Sequence, residues 1–92
     1  MKITVIFIGG LKAMVGQHTV LIDLPEGATY GHLLEELDHR FGKVLPKEIW
    51  DSRWRCFKGS VIAIGDGRDL DNPDIPLKEN EEVKLLTAMA GG

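Results

Sequence analysis

The chain closes on "LLTAMAGG", and the group there that invites chemistry is the α-carboxylate of Gly92. Gly91 and Gly92 carry no side chains, so this end can thread a passage that admits bare backbone only. The six residues from Thr87 onward reach roughly 20 Å when extended. A carboxylate is a poor electrophile until a partner enzyme converts it, with ATP, into an acyl adenylate. The acyl group can then pass to sulfur or to an amine.

Other reactive side chains form weaker patterns. Cys56 sits beside Arg55 and near Lys58, cations that lower a thiol pKa, but no His or other base adjoins it and a structural thiol is expected. His32 and His39 are seven apart among Glu35, Glu36 and Asp38, which predicts a solvated helix face rather than zinc ligation. His18 stands alone at a strand start. The turn "GDGRDLDNPD" offers Asp66, Asp69, Asp71 and Asp74, but the calcium-loop spacing fails and Pro73 interrupts it. Asp and Asn there suit turns. "WDSRWRCFKG" interleaves aromatic and basic residues, a pattern that can stack single-stranded nucleic acid. A loop closing over the core by its aromatics is the preferred reading. A phosphate loop, G-x-S-x-G and H-E-x-x-H are all missing. The expectation is a protein that is not an enzyme, with no bound cofactor and no metal.

Ninety-two residues allow one domain with one modest core. The formal charge of −3 disfavours nonspecific binding to nucleic acid or anionic membrane. A single cysteine permits no internal disulfide. "MKITVIFIGG" lacks the features of a signal peptide, and no stretch approaches the ~20 apolar residues of a membrane helix. A cytoplasmic setting is expected.

Two alternating runs, "KITVIFI" and "HTVLIDL", read as strands joined by a glycine-rich loop, "GGLKAMVGQ". Ile3, Val5 and Phe7 share one face of the first, and Ile6 and Ile8 lie on the other. The period then changes. Tyr30, Leu33, Leu34, Leu37 and Phe41 form one stripe of a helix, with Thr29 as its N-cap and Gly42 as its stop. "KVLPKEIWDSRWRCFKG" has no clear period beyond one helical turn in "PKEIW". "SVIAIGDGRDL" reads as a strand with a Gly-Asp-Gly turn, and "EVKLLTA" as the last strand.

Strand, strand, helix, strand, strand predicts an α+β protein with a mixed four- to five-stranded sheet packed on one main helix. With the last strand beside the first, this is the β-grasp or ubiquitin-like fold. The domain spans 1–88 and the tail 89–92. Alternation points Val83 and Leu85 at the helix, and Lys84 and Leu86 outward beside Ile6 and Ile8. Aliphatics clustered on one sheet face mark a contact site, unless the Trp50–Phe57 segment covers them.

The order ending in "AGG" resembles the MoaD/ThiS family of ubiquitin-like sulfur carriers nearly end to end. "FIGGLKAMVGQ" matches the family's first loop through Leu11, Lys12 and Gly16, with lysine where arginine is usual. "LPEGATYGHLLEELDHRFG" is similar to the stretch that forms its helix, and "PLKENEEVKLLTAMAGG" to its closing segment. Length favours the longer, molybdopterin-synthase small-subunit (MoaD-like) members. The resemblance implies that Gly92 is adenylated by a MoeB/ThiF-like enzyme using ATP and converted to a thiocarboxylate with a sulfur donor. It also implies a larger, MoaE-like synthase subunit as partner. Met89, Ala90, Gly91, Leu86, Ile6 and Ile8 would meet these partners. A carrier for another thio-metabolite (cysteine or thiazole type), a ubiquitin-like protein modifier and a non-catalytic β-grasp interaction domain stay open.

Overall fold

The computed structural model describes residues 1–87. Lys2–Ile8 forms β1 and Thr19–Asp23 forms β2, antiparallel to it. Between them lies a six-residue helix, α1, Gly10–Val15. The main helix, α2, covers Tyr30–Phe41. A two-residue ribbon follows, β3 (Trp50–Asp51) against β4 (Cys56–Phe57). The chain then returns to the sheet as β5 (Val61–Gly65), β6 (Arg68–Asp69) and β7 (Glu82–Thr87). The five-stranded order is β2-β1-β7-β5-β6, with β1 and β7 parallel at the centre and the other pairs antiparallel. This is the β-grasp fold.

Among the described residues, one sheet face is packed and the other is uncovered. Ile3, Val5 and Phe7 of β1, Val20 and Ile22 of β2, and Val83 and Leu85 of β7 are all buried. They meet the stripe Tyr30, Leu33, Leu34, Leu37 and Phe41 of α2, the face its periodicity requires. Phe7 and Phe41 stack edge-to-face with centroids 5.6 Å apart, tying the helix end to the central strand. Thr29 adopts an extended N-cap conformation, and its N–H donates to Nδ1 of His32 over 2.9 Å. His32 therefore caps the helix from its exposed face. Gly42 does close α2, but in a right-handed conformation; a Cβ there would meet the carbonyl oxygen of Asp38 at 2.5 Å. Space, not a left-handed turn, requires this glycine.

Three features depart from the expectation. The "GGLKAMVGQ" loop contains α1. Its Leu11 is fully buried, and Gly16 ends it with a left-handed cap donating to the Lys12 carbonyl. A helix this short is held by that buried anchor rather than by propensity. The aperiodic "WDSRWRCFKG" contains the β3–β4 ribbon, too brief for alternation to show. That ribbon also lies on the α2 side of the sheet: the Trp50 indole N–H donates to Asp38 of α2 over 2.8 Å, and Trp50 packs on Phe57 at 4.8 Å. It does not cover the outer sheet face.

The β5–β6 turn and the start of β7 are joined through Glu81, which is wholly buried. Its carboxylate accepts from Arg68 at both oxygens (2.6 and 3.2 Å) and from the N–H groups of Asp66 and Lys78, each at 2.9 Å. Burial alone raises the Glu81 pKa. The Arg68 hydrogen bonds and the two backbone donors outweigh it and hold the carboxyl below its ordinary value. Gly65 makes room for this, since a Cβ there would collide with Oε2 of Glu81.

Candidate functional site

The outward face is built by strand register. Parallel pairing of β1 with β7 sets Ile8 opposite Leu86 and Ile6 opposite Lys84. Antiparallel pairing of β5 with β7 sets Ile62 opposite Leu86 and Ile64 opposite Lys84. Ile8, Leu86 and Ile62 thus form one row across three neighbouring strands, and Ile6, Lys84 and Ile64 the next. Strands lie about 4.8 Å apart, so each row spans roughly 10 Å. Ile8 and Ile62 are 37% and 39% exposed, while Ile6, Ile64 and Leu86 are half-buried. Lys84 puts one exposed cation among five aliphatics.

The structure therefore brings together the three described residues expected at a partner surface, Leu86, Ile6 and Ile8. It adds Ile62 and Ile64, which the sequence reading did not name. Their signal was present: alternation in "VIAIG" puts both on one face, but the adjacency of β5 to β7 supplies the meaning. Met89, Ala90, Gly91 and Gly92 lie outside the described residues, as does the proposed boundary at residue 88. The last described residue, Thr87, pairs with Val61, and its hydroxyl lies 3.6 Å from the Cβ position of Gly10. Thr87 thus lies one residue beyond the apolar row, beside the start of α1.

The remaining candidates stay apart. His32 and His39 are exposed, and among the described residues no group of three or more His, Cys, Asp or Glu could hold a metal ion. Cys56 is half-buried on β4. Among the described residues, no helix is long and apolar enough to cross a membrane.

The two rows thus lie on the outer face of a β-grasp sheet and are centred on its last strand. The ThiS family model matches residues 5–92, and the chain belongs to the ThiS family. Carriers of this family are non-catalytic. The fold is similar to that of SAMP1 from Haloferax volcanii, at 17% identity over 100% of both chains and a TM-score of 0.82. A protein described as subunit 1 of a molybdopterin converting factor from Pyrococcus furiosus is 25% identical. That match covers 97% of this chain and 99% of the other, with a TM-score of 0.73. A complex of subunits 1 and 2 of molybdopterin-converting factor from Helicobacter pylori matches at 22% identity over 100% of both chains, TM-score 0.64. A comparison with curated proteins found no match.

Proposed function

We propose that this protein is a sulfur carrier whose Gly92 carboxylate is activated and converted to a thiocarboxylate, with molybdopterin biosynthesis as its pathway. The observation that carries the reading is the reach of the family match: it runs through "TAMAGG" to Gly92. In this reading the carboxylate attacks the α-phosphate of ATP on a MoeB/ThiF-like enzyme and pyrophosphate leaves. Sulfide-level sulfur from a donor then attacks the acyl carbon and AMP leaves, which gives the thiocarboxylate. The row Ile8–Leu86–Ile62 supplies the docking energy, and its position beside the exit of β7 delivers the terminus to the partner's site. The two-subunit Helicobacter pylori complex supports a larger synthase subunit as the later partner. The setting is the cytoplasm, where the activating enzyme and ATP are available.

Intact mass after incubation with ATP, a cognate activating enzyme and a sulfur donor tests this. The expected gain equals one oxygen replaced by sulfur, lost when Gly92 is deleted. An unchanged mass with every cognate activating enzyme sinks the proposal. Similarity to SAMP1 favours one second reading, a protein modifier that uses the same adenylate but transfers to lysine. Lysine-linked conjugates without a thiocarboxylate would select it.

A further inference from the structure

Lys84 stands exposed at the middle of the outer sheet face. Strand pairing puts Ile6 on one side of it and Ile64 on the other, and Leu86 follows two residues along β7. A partner that covers these aliphatics must cover the cation with them. An ammonium taken out of water without a counter-charge strongly opposes docking.

The chain holds no counter-charge against it. Among the described residues, Lys84 takes part in no ion pair. Two acids share its face. Glu82 lies two residues back along β7, about 7 Å away by strand rise, opposite Thr4 and outside the two aliphatic rows. Asp69 lies opposite Ile64 on β6, two strands from Lys84 and roughly 10 Å away. Both are exposed, and neither closes on the ammonium.

The terminus leaves the choice of partner to this face. Gly91 and Gly92 have no side chains, so an enzyme that activates the bare carboxylate reads little sequence there. We propose that Lys84 determines specificity for the activating enzyme, whose apolar docking surface carries an aspartate or glutamate opposite it. This rests on the carrier reading above, in which the outer face docks to the enzyme that loads Gly92. A wholly apolar surface is disfavoured because it strands the ammonium, and a basic one because it repels it. The aliphatic rows supply contact area, and Lys84 fixes which surface fits and in what register.

Steady-state thiocarboxylation of the full chain by its cognate activating enzyme, with ATP and a sulfur donor, tests the pairing. Lys84→Met keeps an unbranched apolar stem and removes the charge. It should raise KM by about tenfold with kcat nearly unchanged, and Lys84→Glu by about a hundredfold. Lys84→Arg should restore most of the wild-type value. Wild-type KM should rise with salt more steeply than that of Lys84→Met. Since the site is exposed, all three variants should keep the wild-type urea midpoint. Carbodiimide coupling of the complex should join Lys84 to an Asp or Glu of the enzyme through an amide, with loss of water. A KM for Lys84→Met equal to or below wild type overturns the proposal, because the ammonium then had no partner to lose. So does an equal rise in Glu82→Gln, or coupling of Lys84 to Glu82, since either makes the pair internal. If no cognate enzyme loads the wild-type chain, the carrier reading fails and this proposal falls with it; loading with unchanged KM in Lys84→Met removes Lys84 alone.

Discussion

Arg68 grips Glu81 with both arms of its guanidinium, Nη2 to Oε1 at 2.6 Å and Nε to Oε2 at 3.2 Å. The carboxylate is fully buried, while the Arg68 side chain keeps 26% exposure and also donates to the Pro76 carbonyl. One side chain thereby fixes the β5–β6 turn, the approach loop and the entry to β7, the strand that carries Leu86. Glu81→Gln keeps the volume and an acceptor but removes the charge, and should cost about 2–3 kcal/mol in urea unfolding. Glu81→Ala strands Arg68 and two N–H groups and should cost more, about 3–5 kcal/mol.

The same pair sets an acid limit. The folded-state pKa of Glu81 lies below its ordinary 4.5. The unfolded chain therefore binds its proton first as pH falls, and stability contributed above that value is lost down to the folded pKa. Urea midpoints measured from pH 7 to pH 3 should be flat at the top and decline below about 4.5. In Glu81→Gln the decline should be shallower. Equal slopes in the two proteins would remove Glu81 as its source.

Asp38 joins the ribbon to the helix by accepting from the buried Trp50 indole over 2.8 Å. Trp50→Phe deletes that donor and some packing against Phe57, and should cost about 1–2 kcal/mol. The loss should be local: hydrogen exchange should quicken at Lys58, whose N–H bonds to Ile49, more than at Val83 in the central strand. Uniform acceleration would mean that the ribbon and the sheet open as one unit.

How far the sequence carried depends on how long each pattern ran. Alternation over Lys2–Ile8 and the five-residue stripe of α2 each repeat often enough to fix a face, so the buried set of β1 and the helix bounds were legible. Alternation also placed Lys84 and Leu86 outward correctly. The ribbon has two residues per strand, fewer than one full alternation, and its partnership with Asp38 is set by tertiary packing. In α1, glycines on both sides hid a helix whose anchor, Leu11, is visible only once its burial is known. Ile62 and Ile64 were outward by pattern, but their role follows from β5 pairing with β7, a contact between segments some twenty residues apart. Glu81 gave no signal at all, since "KENEE" reads as solvated turn until Arg68 is placed against it.

The outer face makes the last prediction, because docking and stability separate there. Ile62 and Ile8 sit in register on either side of Leu86 and are more than a third exposed, so an aspartate at either keeps its hydration. Ile62→Asp and Ile8→Asp should each change unfolding free energy by about 1 kcal/mol or less. On a docked face the same carboxylate would be desolvated among aliphatics without a partner, which costs several kcal/mol. Thiocarboxylation by the activating enzyme should then show a KM raised by about tenfold or more, since each 1.4 kcal/mol is tenfold, with a smaller change in kcat. Val83→Asp, one residue from the exposed Lys84 but fully buried on the inner face, should instead unfold the protein. If the two outer-face variants are loaded like wild type while the Gly92 deletion is not, the terminus is engaged without the sheet, and the apolar row has no part in activation.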